Sequence, residues 1–207
     1  TVPGAPTSVL SVVDNTGGVD VSWTAPTDNG GNAVSDYTVQ SCAGSSCVTF
    51  SRSVSTATSV KVTGLTKGTA YTFKVAAVNA AGAGVYSVKS SAATPRAVPG
   101  TPTNVAGVLG DTQVALSWTA PANNGDAISD YVVKSCVSAT CSVFDHVASG
   151  SSSITVTGLT NGTGYTFQIA AVNAAGAGVA VTSASFIPRT VPGAPTSVLS
   201  VVDNTGG

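Results

Sequence analysis

The sequence predicts an all-β fold: two β-sandwiches in tandem, followed by the first strand of a third. Three observations carry that expectation. A segment of about 95 residues occurs twice with small changes in length. Within each copy, short apolar–polar alternations are separated by turns rich in Gly, Asn and Pro. The composition also favours strands and turns: charged residues are 8% of the chain, all nine acids are Asp, and there is no Glu or Met. An average soluble domain is roughly 25% charged. Gly, Ser, Thr, Ala and Val fill the gap, which leaves few of the residues that build long helices.

The repeat sets the domain organisation. AAVNAAGAGV at 76–85 returns unchanged at 170–179, an offset of 94 that also carries VTGLT from 62–66 to 156–160. VSWTAP at 21–26 is answered by LSWTAP at 116–121, and VPG opens each unit at Val2, Val98 and Val191. The expected modules are therefore 1–95 and 96–189. Residues 190–207, TVPGAPTSVLSVVDNTGG, reproduce residues 1–18 letter for letter. They are expected to begin a third module or to act as a donor strand.

Each element follows from local pattern. Val19, Val21 and Trp23 alternate with Asp20, Ser22 and Thr24, a half-buried strand stopped before Pro26. Val114, Leu116 and Trp118 repeat it. SDYTVQS puts Tyr37 and Val39 on one face, as SDYVVKS does with Tyr131 and Val133. SVKVTGL, a Lys-Gly or Asn-Gly turn, and the strand AYTFKVAAV or GYTFQIAAV complete the unit. Seven or so short strands with turns every 8–12 residues describe a two-sheet sandwich.

These features resemble the fibronectin type III family over essentially the whole chain. The resemblance rests on the opening PGAPTSV and PGTPTNV, the early Trp of VSW and LSW, Leu65 and Leu159 six residues before Tyr71 and Tyr165, and the closing AVNAAGAG. It implies an immunoglobulin-like sandwich in which Trp23 and Trp118 belong to the core. Tyr71 and Tyr165 would make a corner hydrogen bond, so these residues, with Leu65 and Leu159, are expected to serve the fold. The Ala/Gly/Ser/Thr-rich style is similar to modules of bacterial secreted and surface proteins. Such modules act as spacers, adhesion units and scaffolds, so the resemblance speaks to fold before function.

Each module has one cysteine pair, Cys42/Cys47 in CAGSSC and Cys136/Cys141 in CVSATC. A hairpin turning within the four intervening residues places the two cysteines opposite each other, and two intramodule disulfides are expected. Counting alternation from Tyr37 puts Cys42 on the outward face, clipping a surface hairpin. Free thiols and cross-links between chains are the alternatives. Zinc is disfavoured, because it wants about four ligands and each module supplies two cysteines. Disulfides imply an oxidising compartment, hence an extracellular or cell-surface protein.

No catalytic constellation emerges, and no cofactor, metal or enzyme activity is expected. His146, the single histidine, lies beside Asp145 in VFDHVAS and has no histidine counterpart in module 1; it reads as an exposed edge or loop residue. Asp28, Asp36, Asp126 and Asp130 flank the loops TDNGGNAVSD and NNGDAISD, where turn and capping roles suffice. Asn161-Gly162-Thr163 is a glycosylation triplet, yet it occupies the turn that Lys67-Gly68-Thr69 forms in module 1. A net charge of -1 with no basic cluster gives no argument for nucleic acid. No apolar run approaches the roughly 18 residues of a membrane span, so no membrane insertion is expected.

The expected role is structural: an extracellular filament, fibre or surface stalk that self-associates, with neighbouring modules or copies of the chain as partners. Proline-bearing joints, SAATPRAVPGTP and SFIPRTVPGAP, favour a stiff array, and a nearly uncharged surface favours association. The repeated opening suits a window from a longer polypeptide of 189-residue double modules, a donor strand completing a neighbour, or a cloning artefact. As a free tail it would leave Val198, Leu199, Val201 and Val202 without a partner, which makes them the candidate assembly strand. An adhesion or carbohydrate-binding module with a polysaccharide or cell-surface ligand is the alternative. A spacer in a secreted polysaccharide-degrading enzyme is the third reading.

Overall fold

A computed structural model describes residues 1–190 and 193. The candidate assembly strand Val198, Leu199, Val201 and Val202 lies outside the described residues. In module 1 the strands are β1 (Thr7–Val13), β2 (Val19–Thr24), β3 (Asp36–Ala43), β4 (Ser46–Thr49), β5 (Ser59–Val62), β6 (Thr72–Asn79) and β7 (Gly82–Ala83). Module 2 has β8 (Thr103–Gly110), β9 (Gln113–Thr119), β10 (Asp130–Val137), β11 (Thr140–Val143), β12 (Ser153–Val156), β13 (Thr166–Asn173), β14 (Gly176–Ala177) and β15 (Val181–Thr182). All pairings are antiparallel. Module 1 stacks sheet β1-β2-β5 on sheet β4-β3-β6-β7. Module 2 stacks β8-β9-β12 on β11-β10-β13-β14, with β15 also paired to β13.

The alternation in sequence becomes the two inner faces. On β2, Val19, Val21 and Trp23 are buried while Asp20 and Thr24 face water. They meet Tyr37, Val39, Phe73, Val75 and Ala77 from the facing sheet. Trp118, Tyr131, Val133, Phe167 and Ile169 build the same core in module 2. The Trp ring meets the Tyr ring edge-on in both copies, with centroids 5.1 Å apart for Trp23–Tyr37 and 4.9 Å for Trp118–Tyr131. That geometry sets a ring edge against the electron-rich face of its neighbour. Leu65 and Leu159 pack against these cores, Leu65 partly buried and Leu159 buried. The Tyr71 Oη accepts a hydrogen bond from the Thr66 amide at 3.2 Å, and the Tyr165 Oη accepts from Thr160 at 3.1 Å. Each ties the β5–β6 or β12–β13 crossover back onto itself.

Both cysteine pairs are disulfides within their own module. Cys42 pairs directly with Cys47 across β3 and β4, and Cys136 with Cys141 across β10 and β11, with Cα atoms 4.0 Å apart in each. One expectation is corrected. Cys42 and Cys136 are buried rather than surface residues, at 1% and 3% exposure. Their strand is central: Cys42 has Cys47 on one side and Thr72 on the other, so its neighbours cover it whichever face it occupies. Only the outer partners, Cys47 and Cys141, retain contact with solvent.

Candidate functional site: the joint between modules

With no catalytic cluster expected, the functional geometry lies where the modules meet. The connecting segment is hydrogen-bonded to both sides. Ala93 pairs with Tyr71 through two backbone bonds of 2.8 and 2.9 Å, which holds the segment on module 1. Two residues on, the Pro95 carbonyl accepts the Gly68 amide at 2.9 Å. Ala97 then forms a bridge with Thr16 of module 1, while its amide donates to Asn124 O of module 2 at 3.0 Å. Arg96 reaches both modules: its Nε donates to Asn15 Oδ1 at 2.9 Å and its guanidinium lies 4.0 Å from Asp126. Pro95, Ala97 and Pro99 are buried. The joint is a packed connection, and proline stiffness is only part of what sets it.

Two turns meet across this joint. A Cβ added to Gly125 would lie 2.5 Å from Gly68 N, 2.7 Å from Pro95 O and 2.9 Å from Lys67 Cβ. Real Cβ atoms do not approach backbone so closely, so the approach requires glycine at 125. Two buried asparagines anchor the incoming chain. Asn173 Nδ2 donates to Ala97 O and to Asn123 O, both at 2.9 Å, while its Oδ1 accepts the Ala175 amide. Asn79 makes the same three bonds to Thr1 O, Asn29 O and Ala81 N in module 1. The residue-by-residue reading singled out neither asparagine. The available signal was a polar residue at the end of an apolar strand, VNAAGAG, unchanged in both copies.

Electrostatics near the joint concentrate on Asp14, whose side chain is 7% exposed. Burial works against its charge. The Lys61 ammonium at 2.6 Å, the Thr16 hydroxyl and the amides of Thr16 and Gly18 outweigh that and hold its carboxyl well below the usual carboxylate range. Of the four loop aspartates only Asp28 bonds within its own turn; the other three tie their loops to distant segments. Asp28 accepts the Gly30 amide, Asp36 the Ser55 amide and Arg52, Asp126 the Ala174 amide, and Asp130 the Ser149 amide. Among the described residues, no group of three or more His, Cys, Asp or Glu side chains is placed to hold a metal ion.

His146 differs from expectation. Its side chain is only 17% exposed and sits 3.9 Å from Asp130, against the Phe144 ring. It has a positional counterpart after all. Arg52 fills the same place in module 1, donating to Asp36 Oδ1 at 2.8 Å and to Tyr37 O at 2.6 Å. The substitution of a different residue type concealed the equivalence.

The first strand of module 1 shows what the repeated stretch does in place. Of the residues equivalent to Val198, Leu199, Val201 and Val202, Val9 is buried and Val13 packs partly buried on the core. Leu10 and Val12 face outward at 62% exposure each. None of the chain's 12 aromatic residues is in the exposed class.

The model of the fibronectin type III domain matches residues 4–93 and again 100–187. The chain belongs to the fibronectin type III family. It is 30% identical over 196 residues to ephrin type-B receptor 4b of Danio rerio, covering 85% of this chain and 20% of that protein. It is 33% identical over 184 residues to chitinase A1 of Niallia circulans, covering 85% of this chain and 24% of that protein. Among solved structures it is similar to the chicken CNTN1 FN1–FN3 domains, with 22% identity, a TM-score of 0.45 and coverage of 94% of this chain and 69% of that one. The chain thus spans a fifth to a quarter of the length of the two curated relatives. A receptor and a chitinase share fibronectin type III modules of this kind, which are generally non-catalytic, so membership assigns the fold and leaves the role to the surfaces.

Proposed function

We propose that this chain is a structural element of an extracellular filament, fibre or surface stalk, built by self-association of fibronectin type III modules. The observation that carries the reading is the joint. Backbone hydrogen bonds at Ala93, Pro95 and Ala97, the Pro95 carbonyl accepting, join the connecting segment to both modules and favour one relation between successive sandwiches, as a stiff rod needs. A net charge of -1 offers little repulsion between neighbouring rods. Two disulfides support a location outside the reducing cytoplasm. Negative-stain microscopy of native material and of the concentrated protein tests the proposal. Linear assemblies are expected; dispersed two-bead monomers at high concentration refute it.

A spacer within a larger secreted enzyme is the second reading, favoured by the likeness to part of a bacterial chitinase. It predicts monomeric rods attached to a catalytic domain. The adhesion reading draws less support, because carbohydrate sites commonly present stacked aromatics and every aromatic side chain here is at least half-covered.

A further inference from the structure

The near face of module 1 and the far face of module 2 carry the same parts as the internal joint, set apart from one another. At the joint, the donor face is Gly68, whose amide bonds Pro95 O at 2.9 Å; at the far end of module 2, Gly162 bonds Pro188 O at 3.0 Å in the same way. The receiving turn at the joint is Asn123–Gly125, and its equivalent at the near end of module 1 is Asn29–Gly31. There the Thr1 amine donates to Gly30 O at 2.8 Å, as the Ala97 amide donates to Asn124 O at 3.0 Å. The Asn79 amide holds Thr1 O at 2.8 Å, as Asn173 holds Ala97 O at 2.9 Å. The backbone of the turns agrees too: φ is 78° at Gly31 and 91° at Gly125, 79° at Gly162 and 80° at Gly68. The one difference is contact. Gly68 and Gly125 touch each other, whereas a Cβ on Gly31 or Gly162 would meet nothing within 4 Å.

We propose that the face formed by Asn161, Gly162 and Pro188 receives the Asn29–Gly31 turn of a second copy of this chain, head to tail, in the geometry of the Gly68–Gly125 joint. This deepens the filament reading and rests on it, by naming the contact along the filament axis. The contact lacks the charge pair of the internal joint: Arg189 replaces Arg96, but Asn32 replaces Asp126.

Sedimentation velocity of the full chain from micromolar to millimolar concentration reads the association, and amide NMR reads its location. The expected result is concentration-dependent growth in which the Gly31 and Gly162 amides shift together. Gly31→Asn and Gly162→Asn each place a side chain in the contact. Asn tolerates the left-handed region best of the side-chain-bearing residues and already occupies φ of 58° at Asn15 and 53° at Asn124, so each module should still fold, with a small fall in its unfolding midpoint. Each variant should weaken association by about tenfold or more. Association that survives both substitutions, with shifts falling instead on the outer faces around Val48, Val85 or Val143, overturns this contact and leaves the filament reading standing. A chain that remains monomeric throughout overturns both.

Discussion

Replacing Asn173 by Ala is expected to unfold module 2 at a much lower temperature while removing almost no apolar contact. The side chain is 4% exposed and makes bonds of 2.9 Å to Ala97 O, Asn123 O and Ala175 N. Alanine strands all three backbone groups. A buried polar group left without a partner costs about 1–3 kcal/mol, less where water can enter. Ala97 is itself buried, whereas the Asn123 loop borders solvent, so the loss comes to about 2–4 kcal/mol. For a domain of this size each kcal/mol moves the midpoint by about 4–8 °C, giving a fall of roughly 8–32 °C in the module 2 transition. Differential scanning calorimetry of the whole chain measures it. Asn79→Ala is the internal control: it makes the same bonds, but its partner Thr1 is exposed, so its carbonyl can turn to water and the fall should be smaller. A change below about 3 °C in Asn173→Ala, or an equal effect of the two variants, would refute the reasoning that the joint depends on this amide.

Three further outcomes follow from the same structure. Because the Asp14 carboxyl is held below its unfolded range, its contribution is complete above about pH 4 and is lost as pH falls further through the folded value. Module 1 should therefore weaken in acid, and Asp14→Asn should remove that pH dependence; denaturant melts between pH 6 and pH 2 read both. Replacing Cys42 and Cys47 together by Ala opens a short loop, worth about 2 kcal/mol by chain entropy, and urea unfolding should show a loss of that size with the sandwich intact. Gly125→Asn should pry the modules apart, because its Cβ would stand 2.7 Å from Pro95 O. Small-angle scattering should then show a broader distribution of inter-module distances, with the module 1 midpoint nearly unchanged and that of module 2 lowered, because φ is 91° at Gly125 and a side chain there is strained.

The fold was legible because period-two alternation is a direct image of a sheet with one covered face. Val19, Val21 and Trp23 could be placed before any coordinates, and so could the pairing of each cysteine with the one five residues on. The same alternation misjudged Cys42, since burial in a central strand also depends on the strands to either side. Asn79 and Asn173 escaped notice for a related reason. Their bonds run to carbonyls 50 and more residues away, and no local pattern encodes a partner at that range. His146 was misplaced because its counterpart is Arg52, a change of residue type that hides a shared position over an aspartate.

A repeat of two modules rather than one has a physical consequence at the joints. The internal joint sets Arg96 near Asp126 and the aliphatic stem of Lys67 close to Gly125 and Gly17. The equivalent outer parts are Arg189 with Asn32, and Asn161 in place of Lys67. Asn161 is already engaged, donating to Asp111 and accepting from the Thr112 amide, so it ties its turn to the β8–β9 turn of the same module instead of reaching across. Any head-to-tail series of this chain, if the proposed contact forms, therefore alternates a joint that holds the Arg96–Asp126 pair with one that lacks it. Differences between the modules that look like drift, one residue more in a turn or Lys for Asn, lie at the internal joint and on the faces proposed to meet. Two kinds of joint in strict alternation give each module a single correct neighbour at each end. That is the property that separates an ordered rod from a chain able to join in any register.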